Sequence, residues 1–159
     1  MPRLDEIART LARVRGGKRV VLANGGFEIL HVGHVRYLEA ARREGDLLVV
    51  AVNDDRSLRI LKGAGRPVVA EAERLRLVAG ISAVDIAFLF EGNDVRGVLR
   101  ALRPDVHAKG TDYTEETVPE RETSREVGAI TRIVGDAKSH ATRDLIARIA
   151  SLASSPPAA

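Results

Sequence analysis

Apolar positions along the chain alternate between a helical rhythm and short continuous runs. Leu4, Ile7, Ala8, Leu11 and Val14 stand at helical spacing, with Asp5 and Glu6 early and Arg13 late as a helix dipole prefers. Residues 4–14 are therefore expected to form a leading amphipathic helix, ended by Gly16-Gly17. A first strand is expected at 19–23. Gly25-Gly26 then supply a sharp turn through backbone conformations closed to other residues. The helical rhythm returns with Val35, Leu38 and Ala41, to about residue 43, and Gly45 stops it. Residues 47–52 are apolar throughout, as in a parallel strand covered on both faces. Asn53-Asp54-Asp55 close that strand and cap a short helix through Ile60.

The stretch LKGAGRPVV at 61–69 carries two glycines, a proline and two cations and reads as a mobile loop. Beyond it the pattern predicts a helix at 71–80, a strand at 84–90, a helix at 93–101 and a short strand at 105–108. Residues 111–127 are highly charged and at most partly helical. A last strand is expected at 129–134 and a last helix at 142–152, with Leu145, Ile146, Ile149 and Leu152 turned inward. The tail from 153 is expected to be frayed.

This alternation implies one domain over 1–152, a doubly wound, Rossmann-like parallel sheet of about five strands with helices on both faces and right-handed crossovers. Ligands bind such sheets beyond the carboxyl ends of the strands, where the winding reverses. The glycine turn, Asn53-Asp54, the segment Lys109 to Asp112 and the start of the last helix all fall at those ends. Four separated segments thus converge on one cleft.

Composition narrows the choice. A chain of 159 residues can bury roughly two-thirds of the surface its unfolded form exposes, and 45% hydrophobic with 30% charged residues is ordinary globular usage. There is no Cys, so neither a disulfide framework nor a thiolate zinc site is expected, which fits a reducing compartment. The polar, charged start offers no signal-peptide core, and no apolar run approaches the roughly 18 to 20 residues of a membrane span. A cytoplasmic protein is the expectation. The net charge of +3 favours anionic ligands, while 3% aromatics leaves few platforms for stacking bases, so a nucleotide is expected rather than nucleic acid.

The chemistry concentrates at His31 and His34. Both fall on or near the first turn of the second helix and project the same way. Unpaired N–H donors, the positive end of a dipole and two imidazoles suit phosphate. The plainer alternative is a helix cap plus a packing histidine. His107, in a short apolar strand, is expected to be a core or neighbour-bonded histidine, and His140, just before the last helix, can face the same phosphates.

The segments NGGFEILHVGHVRYLEAAR, GDLLVVAVNDD, LKGAGRP, ERLRLVAGISAVD, RPDVHAKGTDY and ATRDLI, in that order, resemble the HxGH nucleotidylyltransferase superfamily. Within it they are similar to the family of heptose 1-phosphate adenylyltransferases, the adenylyltransferase half of ADP-heptose synthases. The resemblance covers roughly residues 18–150 and implies transfer of AMP from ATP to a sugar 1-phosphate, D-glycero-β-D-manno-heptose 1-phosphate foremost, with release of pyrophosphate. It assigns catalysis to His31, His34 and Lys62, with His34 at the α-phosphate and His31 at the bridging or β-phosphate oxygens. Asn24, Gly25, Gly26, Phe27, Arg66, Arg74, Lys109, Asp112 and Thr142 go to the nucleotide, and Glu28 and Asn53 to the acceptor. Four of these keep a structural alternative: Phe27 as a core anchor, Arg74 as the ion-pair partner of Glu73 or Asp85, Lys109 and Asp112 as residues ordering their turn. Mg²⁺ is expected to arrive with the nucleotide, and a homo-oligomer, a dimer, is implied.

Two departures from the family pattern touch the site. Glu28 stands where the family has Asp, and Ala141-Thr142-Arg143 stand for a Ser-Thr-Thr triplet, leaving Thr142 to cap the last helix. They leave open a relative with another acceptor, such as glycerol 3-phosphate with CTP, and a nucleotide-binding protein with weakened catalysis.

Overall fold

A computed structural model describes residues 3–137 and 141–154. Five strands, β1 (Val20–Gly25), β2 (Leu47–Asn53), β3 (Ile86–Phe90), β4 (Val106–Lys109) and β5 (Ile130–Ile133), form one all-parallel sheet in the order β3-β2-β1-β4-β5. The chain winds outward from β1 through β2 to β3, then returns to the other side of β1 for β4 and β5. The winding reverses between β1 and β4, as the doubly wound expectation requires.

Strand alternation divides the core into two layers. Val20, Leu22, Val49, Ala51 and Phe88 pack on one face with Ile7 and Leu11 of α1 (Leu4–Arg15) and Val98, Leu99 and Leu102 of α5 (Arg96–Leu102). Val21, Ala23, Leu48, Val50 and Val52 pack on the other with Leu38 and Ala41 of α2 (Val32–Arg42) and Val78 of α4 (Glu71–Ala79). Every residue of β2 is buried, the physical reason its sequence is apolar without alternation.

Local chemistry sets most boundaries. Asp54 caps α3 (Asp55–Lys62) by accepting the Ser57 N–H at 2.9 Å, as its position predicted. The helix runs two residues past Ile60, so Lys62 is its last residue rather than part of a loop. The charged stretch 111–127 resolves into a turn and α6 (Arg121–Val127).

Three expectations are corrected. Neither Gly25 nor Gly26 has positive φ; the left-handed residue of the turn is Phe27, at φ 47°. What the turn demands of Gly26 is space, because a Cβ there would lie 2.6 Å from Leu58 Cδ2. The stretch 61–69, expected to be a mobile loop, begins as the end of α3 and is tied down beyond it, in segment 63–70: Val68 N–H donates to Glu28 at 2.9 Å and the Val69 carbonyl accepts from Arg74 at 3.0 Å. The last helix, α7 (Thr142–Ala153), has no buried residue, and Ile149 and Leu152 are 57% and 66% exposed rather than inward. Its periodicity correctly announced an apolar face, but both faces of the sheet are already covered by other helices.

Candidate active site

A cleft of about 780 Å³ opens at the carboxyl ends of β1, β2 and β4. It is lined by each site residue singled out from the sequence except Arg74, together with parts of the β5–α7 connection. The convergence of four segments on one cleft, read from their positions at strand ends, is observed.

The imidazole pair sits at the mouth of α2. His31 is the N-cap, in extended backbone, and its Nδ1 accepts the Gly33 N–H at 3.1 Å. His34 returns the bond, its Nδ1 accepting the His31 N–H at 3.3 Å. The rings stack with centroids 3.8 Å apart and planes 28° from parallel, and the buried Phe27 ring meets His34 edge-on at 5.3 Å. Because each Nδ1 accepts a backbone N–H, the proton of each neutral ring resides on Nε2. Helix capping, posed on sequence as the alternative to phosphate binding, is carried by the two Nδ1 atoms.

Across the β1–β4 switch point lies a buried polar network. Lys109 Nζ donates to Asn24 Oδ1 at 3.3 Å and faces Glu120 at 3.5 Å. The same Asn24 oxygen lies 3.3 Å from His107 Nε2, and His107 Nδ1 lies 3.1 Å from Ser124 Oγ. An ammonium has only donors, so the Asn24 atom facing it is the oxygen. His107 Nε2 then carries a proton, and Nδ1 accepts from the Ser124 hydroxyl. His107 is wholly buried and its pKa is pushed down to about 3 by burial, with Lys109 adding to the effect, so the ring is neutral. It is the neighbour-bonded core histidine expected. Burial likewise pulls the Lys109 pKa down, against the pull of Glu120.

Glu28 and Arg66 occupy the opposite rim. The guanidinium pairs with both oxygens of the carboxylate, and Glu28 is only 4% exposed. Hydrogen bonds from Arg66, foremost, hold the Glu28 carboxyl below the usual range. The two residues assigned separately to acceptor and nucleotide are thus partners, fastening segment 63–70 to the β1 turn. Asn53, expected at the acceptor, is buried at the end of β2 on the cleft floor, and Asp112 is exposed in the turn after β4.

Arg74 is a correction. It is fully buried, outside the cleft, and donates to the carbonyls of Gly26, Asn53 and Val69 and to Asp55. A group so enclosed is not placed to reach a nucleotide. Its ion pair is with Asp55, not Glu73 or Asp85; the latter faces Arg42 at 3.3 Å. Thr142 is also displaced from its expected role: Ala141 is the N-cap of α7, without a side-chain cap bond, and Thr142 is the first helical residue. His140 lies outside the described residues.

Several cleft residues escaped sequence reasoning. Tyr37 donates its hydroxyl to the Ala108 carbonyl at 2.9 Å, and its position one turn after His34 is a signal that would have found it. Glu120 on the cleft wall, and the buried Ser124 behind His107, lie in the charged stretch without periodicity, where no local pattern marks them. Among the described residues, Arg36, Lys62, Arg66, Lys109 and Arg143 line the cleft alongside five carboxylates.

The fold and site define an α/β domain of the HxGH nucleotidylyltransferase type. The chain belongs to the Cytidylyltransferase-like family, which it matches over residues 22–152. It is 42% identical over 149 residues to the bifunctional protein HldE of Syntrophotalea carbinolica, covering 92% of this chain and 30% of that protein. It is also 42% identical over 145 residues to HldE of Methylobacillus flagellatus, covering 89% and 30%. The chain therefore spans less than a third of the length of these relatives. Among solved structures, a lipopolysaccharide core biosynthesis protein from Thermoplasma volcanium superimposes with a TM-score of 0.63 at 32% identity, over 78% of this chain and 100% of that one.

Proposed function

We propose that the chain transfers AMP from ATP to a sugar 1-phosphate, D-glycero-β-D-manno-heptose 1-phosphate being the first acceptor to test. An oxygen of the acceptor phosphate attacks the α-phosphorus in line, the bond from that phosphorus to the bridging oxygen breaks, and pyrophosphate leaves. The reaction brings two anions together and moves negative charge onto the leaving group, so positioning and donors aimed at oxygen carry the catalysis. The observation that carries the reading is the stacked His31–His34 pair at the mouth of α2, held in place by reciprocal Nδ1 bonds to the backbone and lining the cleft.

In this scheme His34 meets the α-phosphate and His31 the bridging or β-phosphate oxygens. Lys62, at the end of α3, screens the repulsion between substrates. Mg²⁺ enters bound to the triphosphate and neutralises part of its charge. Among the described residues no three His, Cys, Asp or Glu side chains gather as ligands for a metal ion. The likeness to the HldE proteins and to a lipopolysaccharide core biosynthesis protein supports a sugar acceptor. Among the described residues no helix is long and apolar enough to cross a membrane.

Pyrophosphate release, followed with ATP or CTP, Mg²⁺ and a panel of phosphorylated acceptors, tests the proposal. Release with ATP and the heptose 1-phosphate is expected. No release with any sugar phosphate overturns it, and release only with CTP and glycerol 3-phosphate replaces it with the alternative acceptor class.

A further inference from the structure

The support behind Lys109 comes from one turn of α6. Glu120 is the N-cap of that helix but makes no side-chain cap bond; its carboxylate is 4% exposed and is turned to Lys109 instead. Ser124, one turn later, accepts no exposure at all and meets His107. His107 and Lys109 lie two apart on β4, hence on one face, and Glu120 and Ser124 lie four apart on α6, again on one face. The two elements match rung for rung, and Asn24 of β1 is the shared acceptor on the far side.

We propose that Glu120 is a positioning residue that holds the Lys109 ammonium at the cleft floor, charged and aimed, through a buried ion pair loose enough to leave that charge for a bound phosphate. The inference rests on the cleft being a nucleotide site. The looseness is geometric: the pair is separated by 3.5 Å, and Glu120 Oε2 has no hydrogen-bond partner among the described residues. A bidentate contact would consume the charge, as Arg66 and Glu28 do on the opposite rim. Burial disfavours the Lys109 ammonium, and Glu120 pulls the other way.

The other ionisable groups around Lys109 are few. Tyr113, in the turn after β4, sets its ring 4.9 Å from the ammonium, and Asp112 is its neighbour. His107 is neutral, and the Tyr37 phenol on α2 is pushed upward by burial and stays protonated. His31 and His34 of α2 and Asp136 after β5 line the same cleft. Because imidazoles share the site, the cleanest readout is the Lys109 side chain itself.

The test follows Lys109 by NMR titration in the parent and in Glu120→Gln, with Lys109→Arg assigning the resonance, alongside calorimetric binding of ATP. The Lys109 midpoint is expected to fall by about one pH unit or more in Glu120→Gln. ATP binding is expected to weaken about tenfold at a pH above the variant's measured Lys109 midpoint and by less than about twofold at a pH well below it. An unchanged midpoint, or an equal loss of affinity at both pH values, overturns the proposal, the latter being what a purely structural residue would give. If Glu120→Gln does not fold, Glu120→Asp keeps a carboxylate on a shorter arm and must move the midpoint in the same direction by less; no movement overturns the proposal. Failure of the parent to bind ATP at any pH would remove the nucleotide reading, whereas the Lys109 titration judges the role of Glu120 independently.

Discussion

Arg74 and Asp55 form an ion pair at 2.9 Å in which the guanidinium is fully buried and the carboxylate is partly exposed. The same guanidinium joins the β1 turn, the end of β2 and segment 63–70 through three backbone carbonyls. Its removal leaves those acceptors and a carboxylate without a donor. Arg74→Met is expected to lower stability by about 3–5 kcal/mol, measured by urea unfolding. Arg74→Lys should recover little, because a single ammonium cannot span a planar fork of acceptors. A variant that folds with parental stability but loses only nucleotide affinity would return Arg74 to the binding site.

His34 forms a cap bond and, in the proposed reaction, supplies a donor, and the two can be separated. His34→Ala is expected to lower kcat about a hundred- to a thousand-fold, the effect of losing one preorganised transition-state donor. The lost reciprocal cap should cost only about 1 kcal/mol. Steady-state pyrophosphate release and thermal unfolding measured on one preparation check both numbers. Turnover within a few-fold of the parent would show that the imidazole pair is only a cap.

The Glu28–Arg66 contact predicts an acid-sensitive rim. The Glu28 pKa is depressed in the folded protein, so its contribution is full above the ordinary carboxylate range and is lost as pH falls through the depressed value. At neutral pH, Glu28→Gln removes the charge that holds Arg66 and weakens the tether of segment 63–70. Trypsin cleavage after Lys62 should accelerate in that variant by about tenfold, with the rest of the chain unaffected. Cleavage at the parental rate would mean that Val68 and Val69 alone secure the segment.

His107 supplies a second pH dependence with a different window. Its folded pKa lies near 3 against 6.5 for an unperturbed ring, so between these values the unfolded chain binds the extra proton. Stability is then complete above about pH 6.5 and falls on acidification by roughly 1.4 kcal/mol per pH unit traversed. In His107→Gln the slope between about pH 6.5 and about pH 4.5 should be flatter, read as urea-unfolding free energies at each pH. Equal slopes in parent and variant would contradict a neutral, buried imidazole.

The fold was legible because each element carries its own signal. A strand covered on both sides, such as β2, is apolar without alternation from Leu47 to Val52, with Asn53 only at its cleft end, and an amphipathic helix such as α1 repeats at helical spacing. The mouth of α2 was legible too, since a glycine turn followed by His31 and His34 is a local motif whose capping geometry needs no distant residue. What periodicity could not convey was the partner. Arg66 read as a loop cation near phosphate and Arg74 as either a phosphate contact or the partner of Glu73 or Asp85, yet one closes on Glu28, 38 positions earlier, and the other is enclosed by carbonyls from three segments.

The residues alone thus determined the element order, the parallel sheet and the imidazole-capped helix, because backbone geometry and hydrophobic burial act over a few neighbours. Tertiary structure alone decided which charges remain for a ligand and which are spent on the fold. Lys109 keeps its place at the cleft through Glu120 and Asn24, and Ile149 and Leu152 stay exposed because other helices had already covered the sheet. Electrostatic and packing partners are chosen by proximity in space, and that proximity exists only once the chain has folded.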